Sequence, residues 1–215
     1  MATAEQRPVA EGLISRVKNI LLSPNAEWAR IDLEPATVKG LFVGYACILA
    51  AIGPLATLIG RQLFGFHVLF VSYRPSLVGG IAGAVVQYVL GLAGVFLLGL
   101  VIEALAPSFG GTKDRVQAMK VAVYSSTAAW VAGIFGLFPP LAILSIVGLY
   151  SLYLLYLGIP KVMKAPQEKS LGYTAVAVVV YILIYVVIGA VTSAVVGAGI
   201  MGAAGAAGVV TPTVS

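Results

Sequence analysis

Charged side chains are scarce in this 215-residue sequence: they make up 10% of it, where ordinary globular domains have about 25%. Apolar residues make up 60%. A soluble fold of this length needs more charge than that to cover its surface. The composition therefore excludes a soluble globular domain, a disordered chain and a nucleic-acid-binding protein, and it favours a polytopic α-helical membrane protein.

Residues that carry chemistry are equally rare. The single cysteine, Cys47, has no partner for an internal disulfide. The single histidine, His67, lies in a predicted loop, and no second histidine or cysteine cluster completes a metal site of ordinary spacing. The N-terminal residues lack the apolar stretch of a cleavable signal peptide. We therefore expect a protein that is not an enzyme, with no catalytic residues, no cofactor and no metal site.

Five apolar runs are candidate membrane spans, because a helix needs about 20 residues to cross the hydrocarbon core. Every face of these runs is apolar, which argues against the alternating pattern of a membrane β-barrel. The prolines Pro139 and Pro140 predict a tight hairpin that places the third and fourth spans side by side. The runs cover residues 38–60, 77–105, 121–137, 140–158 and 173–196. We predict an all-α bundle of five transmembrane helices.

These runs divide the chain into three parts. Residues 1–37 form an N-terminal segment, residues 38–196 form the membrane domain, and residues 197–215 form a Gly/Ala-rich tail. Apolar side chains between residues 9 and 22 recur on one helical face, which predicts an amphipathic helix lying in the membrane interface; packing on the end of the bundle is the alternative. The many glycines of the tail predict a fraying fifth helix and then a flexible end.

The basic residues predict the orientation. With the N-terminus in the cytosol, cytosolic segments hold eleven of the 13 basic residues, and only Arg61 and Arg74 lie outside. Cytosolic segments near membrane spans are enriched in lysine and arginine. We therefore expect a cytosolic N-terminus and, after five spans, an external C-terminus.

Hydroxyl side chains are concentrated in the third and fourth spans. A hydroxyl group in lipid needs a hydrogen-bond partner, so this cluster predicts either contacts between helices or a polar path for a solute. A dry, hydrogen-bonded cluster favours an adaptor, whereas a continuous wet cavity favours transport. The candidate residues are Tyr124, Ser125, Ser126, Thr127, Tyr150 and Tyr153.

A second candidate site is the predicted cytosolic face. Anionic lipid attracts a basic residue near the membrane surface by about 1 kcal/mol. This face is therefore expected to bind anionic headgroups or a cytosolic or membrane protein partner, with Trp28 as an interfacial anchor. The alternative is that the charges only set the topology. The candidate residues are Lys113, Arg115, Lys120, Lys161, Lys164, Lys169 and Trp28.

Two polar residues near this face have predicted structural roles. Glu103 falls at the end of the second run, where we expect it to reach the headgroups or to pair with Lys120 or Lys113. Thr112 is expected to cap the start of the third helix.

Pairs of glycine four residues apart open the first two spans. This spacing lets helices approach closely. We expect it to serve packing within the bundle, and a homo-oligomer is the alternative. The pairs are Gly40 with Gly44 and Gly79 with Gly83.

Four segments carry a resemblance to a known family. The most specific part is a Tyr-Ser-x-x run in the third span, followed by Leu-Tyr-x-x-Tyr in the fourth. With the five-span pattern they cover roughly residues 21–190, and they resemble the Yip family, the Ypt/Rab-interacting proteins and their bacterial relatives. The segments are LLSPNAEWARI (21–31), FGGTKDRVQAMKVAVYSST (109–127), GLYSLYLLYLGIPKV (148–162) and EKSLGYT (168–174).

The resemblance implies a membrane protein with no established catalytic residues. Eukaryotic relatives associate with Rab-type GTPases, but the Ala/Gly/Val-rich composition is typical of a bacterial chain, where such partners are absent. We therefore expect a non-enzymatic adaptor or organiser of the bacterial inner membrane. A small-solute transporter or channel, formed by the bundle or its oligomer, is the alternative. Family members often have proline where this sequence has Ala128, which predicts a straighter third helix.

Overall fold

The computed structural model describes residues 9–68, 71–73 and 77–207. Five of its helices are long and apolar enough to cross a membrane, so the predicted all-α, five-span fold is confirmed. Arg7, Arg74 and the last eight residues of the predicted tail lie outside the described residues. We number the helices as spans 1 to 5: Val38–Phe64, Leu77–Phe109, Arg115–Leu137, Pro139–Val162 and Glu168–Val195.

Spans 1 and 2 are joined by a short β-hairpin. Its strands β1 (Phe66–Val68) and β2 (Val71–Tyr73) pair antiparallel, with His67 opposite Ser72. Span 2 is α6 (Leu77–Leu105) followed by a 3-10 turn (Ala106–Phe109). Span 1 is built from α3 (Val38–Leu41), a π-helical turn (Phe42–Ala46), α4 (Cys47–Ala50) and α5 (Ile52–Phe64).

Span 3 is interrupted at Ser126. The straighter helix predicted from Ala128 is therefore wrong, because an interruption forms here without proline. Hydroxyls of Ser125 and Ser126 bond to carbonyls of the preceding turn, a contact that often bends helices. The segments of span 3 are α7 (Arg115–Ser125), α8 (Thr127–Ala132) and a 3-10 turn (Gly133–Leu137).

The start of α7 also differs from its prediction. Asp114, rather than Thr112, is the N-cap: its carboxylate accepts a hydrogen bond of 2.9 Å from the Gln117 backbone N–H. The backbone N–H of Thr112 instead donates to the Met163 carbonyl at 2.8 Å. Aspartate satisfies a free N–H and also favours the positive end of the helix dipole.

Spans 4 and 5 complete the bundle. Span 4 begins as a 3-10 helix (Pro139–Leu149), far longer than the usual 3–4 residues, and continues as α9 (Tyr150–Val162). Span 5 belongs to α10 (Gln167–Ala207), which extends as helix into the Gly/Ala-rich stretch.

Small residues bring neighbouring spans close together. A Cβ atom on Gly133 would lie only 2.7 Å from the Gly53 Cα, so spans 1 and 3 touch through their backbones. Spans 3 and 4 meet where the Ala129 N–H donates to Ser151 Oγ at 2.9 Å. This contact confirms the predicted hairpin of adjacent spans.

Two short helices, α1 (Val9–Leu22) and α2 (Pro24–Leu33), pack on one end of the bundle. Ile20 and Ile31 are completely buried there. The sequence left two placements open, and α1 and α2 both adopt packing against the bundle. We call this the basic end of the bundle, and the opposite end the Arg61 end.

Candidate functional site at the basic end of the bundle

Trp28 fixes α2 to the bundle. Its side chain is 0% exposed and lies edge-on to Tyr124, with ring centroids 6.5 Å apart. A Cβ atom on Gly158 would lie 2.7 Å from the indole ring, so only glycine leaves room for it. The expectation that Trp28 anchors the protein at the membrane interface is therefore wrong. Instead, Trp28 stabilises the fold by burying its large aromatic surface in the core.

Three of the predicted cytosolic lysines hold α2 in place. Lys120, only 3% exposed, donates to the Ile31 and Glu34 carbonyls at 2.7 and 2.6 Å. These carbonyls lie at the C-terminal end of α2, where a cation also favours the helix dipole. Lys161 Nζ donates to Asn25 Oδ1 at 2.8 Å, and Lys164 pairs with Asp32.

Arg16 links α1 to α2. Its guanidinium donates to Glu27 Oε1 at 2.5 Å and also pairs with Glu34. The guanidinium carbon lies 5.5 Å from the centre of the Tyr124 ring, within the range of a cation–π contact. Burial disfavours the charged form, but the hydrogen bond to Glu34 and the nearby carboxylates outweigh it and raise the pKa of Arg16. The link therefore stays charged throughout the physiological range.

An open groove of about 600 Å³ lies beside Arg16, between α1, the segment before span 1 and the start of span 1. Tyr45 and Tyr124 line it together with Gly40 and Gly44. A Cβ atom on Gly44 would meet no described atom within 4 Å. In the described part of the chain, Gly44 thus borders open space, and it does not serve the close helix packing that its spacing favours.

The other predicted basic residues of this end have different surroundings. Arg115 Nε donates to Glu103 at 2.8 Å, so Glu103 pairs with Arg115 and not with Lys120 or Lys113. Lys113 and Lys169 are exposed, and neither has a partner among the described residues. The Lys169 side chain reaches Gly110, in the loop that also carries Lys113.

The hydroxyl cluster of spans 3 and 4 is a packed, hydrogen-bonded layer. Ser125, Ser126 and Thr127 are buried and donate to carbonyls of their own helix at 2.6 to 2.8 Å. Thr127 also bonds to the Tyr45 hydroxyl at 2.9 Å. Tyr150 donates to the Leu21 carbonyl at 3.2 Å, and Tyr153 is 44% exposed on the surface.

The fold and the resemblance are tested by comparison with known proteins. A family model, the Yip1 domain, matches residues 18–209. The chain belongs to the Yip1 family. With its five apolar helices, this Yip1 protein is an integral membrane protein. No curated protein and no solved structure matches it.

Several residues that build this end of the Yip1 protein were missed by sequence reasoning. Arg16, Glu27, Tyr45 and Gly158 are not among the candidate residues of the sequence analysis. Gly158 and Trp28 are 130 positions apart, so no local pattern indicates their contact. Among the described residues, no group of three His, Cys, Asp or Glu side chains is placed to hold a metal ion.

Proposed function

We propose that this Yip1 protein is a non-enzymatic adaptor or organiser of the bacterial inner membrane, with its N-terminus in the cytosol. Its basic end attracts anionic lipid headgroups and presents α1 and α2 to a protein partner. The observation that carries this proposal is the contrast between two sets of lysines. Lys120, Lys161 and Lys164 are bound to α2, whereas Lys113 and Lys169 are exposed without a partner in the described part of the chain.

This contrast supports a function for the second set. The other three lysines are occupied by contacts with α2, whereas the ammonium groups of Lys113 and Lys169 are exposed and available to anionic headgroups. Lys113 lies in the loop between spans 2 and 3, and Lys169 lies at the start of span 5. Lys169 Cδ is 4.0 Å from a Cβ atom built on Gly110, in the same loop as Lys113. Each exposed lysine near the headgroups adds to the attraction of anionic lipid.

Exposed apolar side chains on α1 and α2 support the adaptor role. Ile14, Leu22 and Leu33 are exposed, although the opposite faces of both helices are packed on the bundle. Large apolar side chains at such a position favour the membrane interface or a partner protein.

The alternative, a small-solute transporter or channel, needs a polar path through the bundle. The hydroxyls of Ser125, Ser126 and Thr127 are buried and already donate to carbonyls of their own span. A cluster whose hydroxyls bond within the bundle is expected of an adaptor, whereas a transporter needs a continuous wet cavity. This arrangement therefore favours the adaptor.

The test compares lipid selectivity between two double variants. The full chain is placed in phosphatidylcholine bilayers that contain spin-labelled phosphatidylglycerol, and the relative association of the labelled lipid is measured. Lys113→Gln with Lys169→Gln should lower the association constant by about fivefold for each charge at low salt, since each contributes about 1 kcal/mol. The difference should shrink as salt is raised.

Lys161→Gln with Lys164→Gln is the matched control, because it removes the same charge from side chains already bound to α2. This variant should increase hydrogen exchange in α2 and change the lipid selectivity less. Equal lipid selectivity in the wild type and in the Lys113/Lys169 variant would leave these charges as topology signals and contradict the proposal.

A further inference from the structure

A second cavity, of about 370 Å³, lies in the Arg61 half of the bundle. Spans 1, 2, 3 and 5 enclose it, and its volume falls within the range of small-molecule sites. At membrane depth a cavity is ordinarily apolar, but this one is lined by several polar side chains: Thr57, Arg61, Gln87, Tyr185, Thr192 and Ser193.

Glycines keep this cavity open. Gly91 on span 2 and Gly189 on span 5 line it, and a Cβ atom on either would meet no described atom within 4 Å. Spans 2 and 5 pack closely only beyond the cavity, where a Cβ atom on Gly94 would lie 2.7 Å from Ile184. Gly91 and Gly189 therefore leave space that larger side chains would fill.

The charge of the cavity is positive. Among the described residues of its lining, Arg61 is the one ionised group, and none of the eight acidic residues belongs to the stretches that form it. Glu103, the acidic residue of span 2, lies sixteen positions beyond Gln87 toward the basic end, about 24 Å along a helix. Arg61 lies in the last turn of the helix that ends span 1, and a positive charge near the headgroup boundary attracts anionic groups.

The lining of the cavity also contains hydrogen-bonding groups. Thr192 Oγ1 is buried, and no described residue supplies it with a hydrogen-bond partner. A threonine hydroxyl in a helix can bond to a carbonyl of its own preceding turn, and a buried hydroxyl without a hydrogen-bond partner is destabilising. A polar ligand group in the cavity would supply the hydrogen-bond partner of Thr192 Oγ1.

We propose that this cavity binds a phosphate group, with Arg61 supplying the charge and Gln87 and Thr192 supplying hydrogen bonds. The group belongs either to a lipid headgroup of the glycerophosphate type or to a free phosphate ion. The exposed Gly189 and Ser193 open the cavity toward the side of span 5, where an acyl chain has room. This site is separate from the lysines of the basic end.

Trp130 provides a local probe, because it lines the cavity and the only other tryptophan is Trp28. In a Trp28→Phe background, the full chain is placed in bilayers with brominated phosphatidylglycerol or brominated phosphatidylcholine, and quenching of Trp130 is compared. A parallel titration adds inorganic phosphate to unbrominated phosphatidylcholine bilayers. Thermal unfolding of every variant checks that the fold is kept.

We expect phosphatidylglycerol to quench Trp130 at least fivefold more effectively than phosphatidylcholine at equal mole fraction. Arg61→Gln should remove this preference, and Gly189→Leu should do so by filling the cavity. The matched controls, Arg30→Gln and Gly44→Leu, lie at the basic end and should keep it. A response to inorganic phosphate that Arg61→Gln abolishes, without lipid preference, assigns the site to the free ion.

Equal quenching by both lipids together with no response to phosphate would overturn the proposal. Loss of the preference in the controls to the same degree as in Arg61→Gln would also overturn it. Lys113→Gln with Lys169→Gln should leave the Trp130 preference unchanged, so this result is independent of the lipid selectivity of the basic end.

Discussion

Trp28 illustrates how one residue changes role between sequence and structure. A tryptophan near a basic segment is typical of an interfacial anchor, yet this indole ring is fully buried beside Gly158 and Tyr124. The ring connects α2 to spans 3 and 4, so the contact with Gly158, together with the three lysines, holds α2 in place.

Gly158→Ala should loosen α2. The added Cβ would lie 2.7 to 2.9 Å from three atoms of the Trp28 ring, and overpacking of this kind costs about 1–3 kcal/mol. Hydrogen exchange should therefore rise in α2 and stay unchanged in span 5. Gly44→Ala is the control, because its Cβ would meet no described atom within 4 Å. Unchanged exchange in Gly158→Ala would contradict the assigned role of this contact.

At the scale of helices and loops, the sequence predicts what depends on composition and spacing. The apolar runs locate all five spans, and the prolines locate the hairpin between spans 3 and 4. It does not predict the interruption at Ser126 or the cap at Asp114, because these depend on which of several local hydrogen bonds forms.

The hairpin of spans 3 and 4 gives a direct test at this scale. A Cβ atom on Gly148 would lie 3.7 Å from the Ala129 Cβ, within the range of about 3.5–4.5 Å found in disulfides. With Cys47→Ala as background, Ala129→Cys with Gly148→Cys should crosslink on mild oxidation, as seen by a mobility shift. Ala129→Cys with Gly44→Cys should not crosslink. Equal crosslinking of the two pairs would refute this register.

For the whole molecule, the central division is between the two ends of the bundle. The basic end holds an ion-paired assembly of α1 and α2, including the Arg16 link and the Lys164 pair with Asp32. The Arg61 end holds the β-hairpin and a polar cavity. The count of basic residues in the sequence predicts this asymmetry of charge. The cavity arises from helix packing, so no pattern in the sequence indicates it.

The orientation of these ends in the membrane is the claim on which the adaptor proposal depends most directly. It is measured with single-cysteine variants in a Cys47→Ala background, by labelling whole cells with a membrane-impermeant maleimide. Thr112→Cys and Lys164→Cys should react only after the cells are permeabilised, whereas His67→Cys should react on intact cells. Labelling of Thr112→Cys or Lys164→Cys on intact cells would place the basic end outside and contradict the account.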